Sequence, residues 1–261
     1  MKLATFLPPG GTGPVPGEIR GEWAIAFDDG STVLDRLASG DHRPASGPAW
    51  PIAQIRLYAP VPAPGSIYGI GLNYREHATE TGGQVPEQPI VFLMPSTAAA
   101  PPAGPIVCPP VVRRLDYEGE LAIVMGAGGS VAGYAVANDV SARDLQRREP
   151  QWTRAKGADT FCPYGPWITT ADEIIDPQDL WLRTWVNGEL RQDARTSDLI
   201  FGVEELVGFI GQTISLQPGD LILTGTPSGV GMAMDPPRFL QSGDVIAIEI
   251  EKLGRIQHAV A

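Results

Sequence analysis

The stretch LDYEGELAIVMG, Leu115 to Gly126, sets the terms on which the whole chain is read. Its second half is apolar enough to form a buried strand, yet Asp116, Glu118 and Glu120 stand at alternate positions just ahead of it. Alternate side chains of a strand point to one face, roughly 7 Å apart. Three carboxylates on one face of a half-buried strand repel one another and lose hydration, so something must compensate them. Downstream, AGGS (127–130) reads as a hairpin turn into VAGYAVANDVS (131–141). A turn centred between Gly128 and Gly129 places Asp139 opposite Glu118, a pairing that a one-residue slip would undo.

Glu118, Glu120 and Asp139 then offer three hard oxygen ligands suited to Mg²⁺, Mn²⁺ or Ca²⁺, with positions left for water or a chelating substrate. Two other readings stay open. The acids can form a solvent-facing row, or they can pair with Arg113, Arg114 or Arg143.

Strand signals dominate after residue 65. SIYGIGL (66–72), PIVFLM (89–94) and ELAIVMG (120–126) are apolar runs, and Ile246, Ile248 and Ile250 alternate with polar or small residues. LWLRTWVNGEL (180–190) carries an Asn-Gly turn, and GVEELVGFIGQ (202–212) reads as a helix. Ahead of this, EWAIAFDDGSTVLDRLASG (22–40) reads as a strand, a turn at Asp28-Asp29-Gly30, a second strand and a short helix. Proline-rich APVPAPGS (59–66) marks a boundary. The expectation is a small N-terminal domain over 1–62 and a β-rich α+β domain over 63–261.

Composition narrows the function classes. The 261 residues carry a net charge of −11, which disfavours nucleic acid and anionic membranes as partners. No stretch approaches the roughly 18 apolar residues of a membrane span. The start, MKLATFLPPGG, lacks a secretory pattern. Cys108 and Cys162 are isolated, as expected of a reducing compartment; the cytoplasm is the expected location.

Further candidates lie along the chain. In NYREHATETG (73–82), His77 and Glu80 share a face if the segment is helical, and a carboxylate beside an imidazole prepares a general base; on local sequence alone a surface His–Glu pair is the commoner outcome. Lys156 is one of three lysines and lies near Trp152 and Phe161, where it can stabilise an oxyanion or reach from a loop to water. LTGTPSGVG (223–231) is neither a P-loop nor a dinucleotide loop, but its glycines let backbone N–H groups converge on an anion; a structural strand-end loop fits as well.

Taken in order, GLNYREHATETG (71–82), DYEGELAIVMG (116–126), GYAVANDVSARDLQ (133–146), LRTWVNGELRQDARTSDLIFGVEELV (182–207) and PGDLILTGTPSGVG (218–231) resemble the fumarylacetoacetate hydrolase family from about Ile67 onward. The resemblance implies a mixed β-sandwich roll, a homodimer and a divalent metal, commonly Mg²⁺. It implies Glu118, Glu120 and Asp139 as metal ligands and His77 with Glu80 as a catalytic dyad on a lid. Lys156 matches the family's active-site lysine. Arg143, Gln146, Thr226 and Tyr74 would contact a small anionic oxo acid. Met94 stands where a lysine is common, which removes a charge near the expected entrance.

The activity implied first is hydrolytic cleavage of a 2,4-dioxo acid of acylpyruvate type to pyruvate and a carboxylic acid. The alternatives are an isomerase or decarboxylase of the 2-hydroxyhepta-2,4-diene-1,7-dioate type found in aromatic catabolism, or an oxaloacetate decarboxylase. A non-catalytic metal- or ligand-binding protein stands as a third class.

Overall fold

The computed structural model describes residues 1–261. Its centre is the hairpin of Gly119–Met125 and Val131–Asn138. Gly119 pairs with Asn138 and Glu120 with Ala137. One step on, the Asp139 N–H donates to the Glu118 carbonyl at 2.9 Å, so Asp139 does lie opposite Glu118. The register changes by one residue at the turn, which centres on Gly128 rather than between Gly128 and Gly129. A bulge after Val124 pairs Met125 with Val131, and Gly128 and Gly129 take φ of 63° and 75°. The bulge absorbs the offset, and the pairing beyond it is the expected one.

This hairpin sits inside a twelve-stranded mixed sheet. On one side come Leu221–Leu223, Ile67–Gly71 and the edge strand Ile90–Met94; on the other comes Cys162–Thr170. The sheet continues into Lys2–Leu7, Val15–Arg20, Trp23–Ala26 and Ala49–Pro51. Lys2 and Leu3 pair with Thr169 and Ile168, so backbone hydrogen bonds join the N-terminal strands to the rest of the chain. A five-stranded sheet packs against the large one, ordered Glu189–Arg195, Trp181–Val186, Val245–Ile250, Gly254–Val260 and Ala103–Ile106. The fold is a β-rich α+β sandwich roll. No helix is long and apolar enough to cross a membrane.

Strand alternation explains how the layers meet. Leu121, Ile123 and Met125 face the five-stranded sheet and share a core with Leu182, Ile246 and Ile248. Ala122 and Val124 point the other way, into a second core with Val33, Leu37 and Ala59. The strand expected to be half-buried is therefore buried on both faces. Glu118 and Glu120 share the parity of Ala122 and Val124, so the acidic row continues the face that carries the second core.

Two local readings are revised. No second strand follows Asp28-Asp29-Gly30; the chain enters the helix Val33–Ser39. Thr32 Oγ1 accepts from the Asp35 N–H at 3.1 Å, while Asp35 Oδ2 accepts from the Thr32 N–H at 2.8 Å. That capping box overrides the β-branched Thr-Val signal. The Asn187-Gly188 turn forms as expected, with both residues at positive φ closing Val186 onto Glu189.

Leu121 is fully enclosed between the sheets. Leu121→Ala is expected to lower unfolding free energy by about 2–5 kcal/mol in urea titration. A change within about 0.5 kcal/mol, as at surface positions, would place the residue outside the core.

Candidate active site

Glu118, Glu120 and Asp139 each present an oxygen within 4.8 Å of the others, and all three are buried. Two cations lie among them. Lys156 Nζ donates to Glu118 Oε2 at 2.7 Å and to Asp139 Oδ2 at 2.8 Å. Arg143 Nη2 lies 2.7 Å from Glu118 Oε1; that guanidinium nitrogen has no well-angled hydrogen-bond acceptor, so this pair is held by charge rather than by a directed bond. Arg143 Nε donates to Asp116 Oδ2 at 2.9 Å. Asp116, the acid left over from the alternating row, is fully buried, paired with arginine and not solvated.

Burial works against every carboxylate here, and the neighbours decide the outcome. Burial would raise Glu118, but Lys156, Arg143 and His77 overcome it and pull its carboxyl down to about 2. Burial lifts Asp139 to about 6 in spite of Lys156, with Glu118 adding to the rise. Glu120 is held well above the ordinary range, first by burial and then by the charges of Asp139 and Glu118. Lys156 is raised, because Asp139 and Glu118 outweigh the effect of burial.

The glycine-rich segment does gather anions, and they are the protein's own. The Gly225 N–H donates to Glu120 Oε2 at 2.7 Å and the Gly229 N–H to Glu80 Oε2 at 3.0 Å. The N–H groups of Gly231 and Met232 reach Asp116 at 2.8 and 3.0 Å. Gly229 has φ +103° and its missing Cβ would collide with the Arg191 carbonyl oxygen, so no other residue fits this turn. Glu80 in turn holds His77 Nδ1 at 2.7 Å within the short helix Arg75–Glu80. The helical spacing thus brings His77, Glu80 and the loop together.

One cavity of about 210 Å³ gathers most of these groups: His77, Glu118, Arg143, Gln146, Lys156 and Thr226 all line it. Gln146 Oε1 accepts from Arg143 Nη1 at 3.0 Å. Thr226 Oγ1 donates to the Gly119 carbonyl and accepts from Gln192 Nε2. Glu80, Glu120 and Asp139 do not line it, and neither does Tyr74. Tyr74 is buried at the start of the helix Arg75–Glu80, its hydroxyl lacks a partner, and burial and Glu120 push that hydroxyl's pKa upward. Lys156 does not reach from a loop to water; it is 2% exposed. Met94 does not face an entrance either, being 1% exposed in the second core.

Several residues at the site carry no mark in the sequence. Gln192 Oε1 accepts from the Gly119 N–H while its Nε2 spans Thr226 Oγ1 and the Pro227 carbonyl. Asn73 Nδ2 donates to the carbonyls of Phe201 and Thr224, fixing the chain just ahead of the helix Arg75–Glu80. Phe92, Arg147, Trp152 and Met232 also form part of the cavity wall, with Thr81 and the segment 70–72. Each acts across more than 30 residues of chain or faces a space that periodicity cannot reveal.

Residues 66–261 match the fumarylacetoacetate (FAA) hydrolase C-terminal family model. The chain belongs to the fumarylacetoacetate hydrolase family. It is 45% identical over 225 residues to Protein Rv2993c of Mycobacterium tuberculosis, covering 82% of each chain. It is 42% identical over 224 residues to the mitochondrial oxaloacetate tautomerase Fahd2a of Rattus norvegicus, covering 82% of this chain and 72% of that one. The crystal structure of 2-hydroxyhepta-2,4-diene-1,7-dioate isomerase from Mycobacterium marinum superposes with a TM-score of 0.84 at 38% identity, over all of this chain and 98% of the other.

The buried residues also fit the family's divalent cation. Asp116, Glu118, Glu120 and Asp139 are buried with only Arg143 and Lys156 as cations among them, so once all four are ionised two negative charges are left for one dication to neutralise. Asp139 Oδ1 is buried with no hydrogen-bond partner, as a ligand atom awaiting a cation would be. The donor set is all oxygen, the choice of a hard cation. Family membership and this acidic triad support metal-assisted C–C cleavage or isomerisation.

Without metal, Asp139 keeps its proton up to about pH 6 and Glu120 keeps its own well above the usual carboxylate range. A cation must displace those protons. Mg²⁺ affinity, used as a probe, is expected to rise with pH through and above that value and to release protons, read calorimetrically in buffers of different ionisation heat. Affinity independent of pH between about 5 and 8, with no proton release, would count against this ligand set.

Proposed function

We propose that the protein catalyses proton transfer on a 2-oxo acid: keto–enol tautomerisation or double-bond isomerisation at the carbon next to the 2-oxo group. The observation that carries it is the meeting of His77, Glu118 and Lys156 in one cavity, with Glu80 orienting the imidazole. Several relatives at 40–42% identity bear the name oxaloacetate tautomerase. Similar solved structures include a 2-hydroxyhepta-2,4-diene-1,7-dioate isomerase and a 5-carboxymethyl-2-hydroxymuconate delta-isomerase. These names favour isomerisation over the cleavage that the sequence placed first.

Glu118, Glu120 and Asp139 would hold the cation, which when bound polarises the 2-oxo group and acidifies the neighbouring carbon. A carboxylate can only accept, so Glu80 fixes the His77 proton on Nδ1 and leaves Nε2 as the base. His77 Nε2 takes the proton from C3 and returns one to oxygen or to a conjugated carbon. Lys156 spends two of its three N–H donors on Glu118 and Asp139; the third is free for the oxygen on which charge develops. Arg143 holds Glu118 in place while Asp116 holds Arg143. Proton transfer needs only this base and this electrophile, whereas hydrolysis also needs a positioned water.

The test is turnover of oxaloacetate (keto–enol exchange by ultraviolet absorbance), a 2-hydroxydienedioate and an acylpyruvate, each with and without Mg²⁺. Isomerisation that needs Mg²⁺ is expected, with His77→Ala slowing it by about 10²–10⁴-fold while metal binding is kept. Release of a carboxylic acid from the acylpyruvate, without isomerisation of the other two, would move the assignment to cleavage. Unchanged isomerisation in His77→Ala would remove the dyad from the mechanism.

A further inference from the structure

We propose that Arg147 binds the distal carboxylate of a 2-oxo dicarboxylic acid and so makes the cavity selective for dicarboxylic over monocarboxylic 2-oxo acids. This rests on the reading of the cavity as a 2-oxo acid site. Arg147 lies in the helix Arg143–Arg148 and lines the same cavity as Glu118 and Lys156. It is exposed, which places its side chain at the cavity's open end.

Its distinguishing feature is that it is uncommitted. The inner cations are fully engaged: Arg143 with Asp116, Glu118 and Gln146, and Lys156 with Glu118 and Asp139. The neighbouring Arg148 and Arg154 both pair with Glu149. Arg147 takes part in no ion pair or side-chain hydrogen bond. In a chain of net charge −11, a free guanidinium over a substrate cavity has no carboxylate of the protein to serve. A guanidinium offers two parallel N–H donors that match a carboxylate.

Spacing supports the same conclusion. Arg143 and Arg147 are four residues apart on one helix face, about 6 Å along the axis. Arg143 is anchored at Glu118, where the 2-oxo end of a substrate would sit, and Arg147 stands one turn outward. The same cavity wall includes Phe92, Trp152 and Met232, which suit a short carbon spacer and offer no competing charge. A dicarboxylate of four or five carbons joins the two ends; a monocarboxylate would leave Arg147 facing a methyl group.

The experiment compares 2-oxoglutarate with 2-oxovalerate, which share a five-carbon 2-oxo acid chain and differ in the terminal carboxylate. Binding to the Mg²⁺-loaded wild type and to Arg147→Gln is measured by calorimetry, so turnover is not required. The wild type is expected to bind 2-oxoglutarate about five- to tenfold more tightly than 2-oxovalerate. Arg147→Gln is expected to abolish that gap while leaving 2-oxovalerate and Mg²⁺ binding unchanged. A wild type without the preference, or a variant that keeps it or weakens both ligands equally, overturns the proposal. A wild type that binds neither compound in the presence of Mg²⁺ instead overturns the 2-oxo acid reading of the cavity. Arg147 is exposed and unpaired, so the variant's fold is not at risk.

Discussion

Four carboxylates buried within reach of two cations are the constraint on which the rest of this structure hangs. Asp116, Arg143, Glu118, Lys156 and Asp139 form a continuous alternation of charge. Removing one partner from such a chain leaves an uncompensated buried charge, at a cost of about 3–5 kcal/mol. The alternation therefore fastens the segment around Leu115–Glu120 to the helix carrying Arg143 and to the turn carrying Lys156. It also sorts the acids. Glu118, touched by both cations, stays ionised, whereas Asp139 and Glu120 hold protons more tightly than an exposed acid would. The two least compensated acids are the ones with most to gain from a dication.

The loop after Leu223 completes the balance with backbone rather than side chains. Gly225, Gly229, Gly231 and Met232 supply N–H donors to Glu120, Glu80 and Asp116. A backbone donor carries no counter-charge, so it satisfies an acid without neutralising it. The same few residues thus steady a candidate ligand, the dyad carboxylate and the anchor of Arg143. Tyr117 adds to this by donating its hydroxyl to the Gly229 carbonyl at 2.7 Å. Gly225 and Gly229 sit at positive φ in spaces with no room for a Cβ. The loop's glycines are required by close approach and by handedness together.

How much of this was legible depended on how local the physics is. The hairpin register, and with it the meeting of Glu118, Glu120 and Asp139, followed from a turn signal and strand alternation, both properties of a short stretch. The Asn187-Gly188 hairpin and the helix Val203–Gly211 followed for the same reason. The motif order identified the family, which supplied the candidate site as a set. What escaped was long-range. Nothing near Asp116 says that Gly231, 115 residues on, will cover it. Nothing near Lys156 shows that two carboxylates will draw its ammonium inward, and Tyr74 and Met94 give no sign of which layer lies over them. The lost strand after Gly30 failed differently: Thr32 and Asp35 formed a local cap whose signal was present but outweighed by β-branched neighbours.

The site was easier to read than its reaction because, on the proposed reading, its charges would stabilise an enolate, and an enolate is common to both chemistries. Tautomerisation forms it by losing a proton from C3; cleavage of an acylpyruvate releases it as a leaving group. Lys156 and the acidic triad serve either event equally, since both place negative charge on the same oxygen. The difference lies at the next carbon, where isomerisation needs only a base and cleavage needs an attacking water. His77 is held by Glu80, and Glu80 by Gly229, so its nitrogen is positioned by the fold. A nitrogen so held can act as a base toward carbon or toward water, which is why one site serves both chemistries.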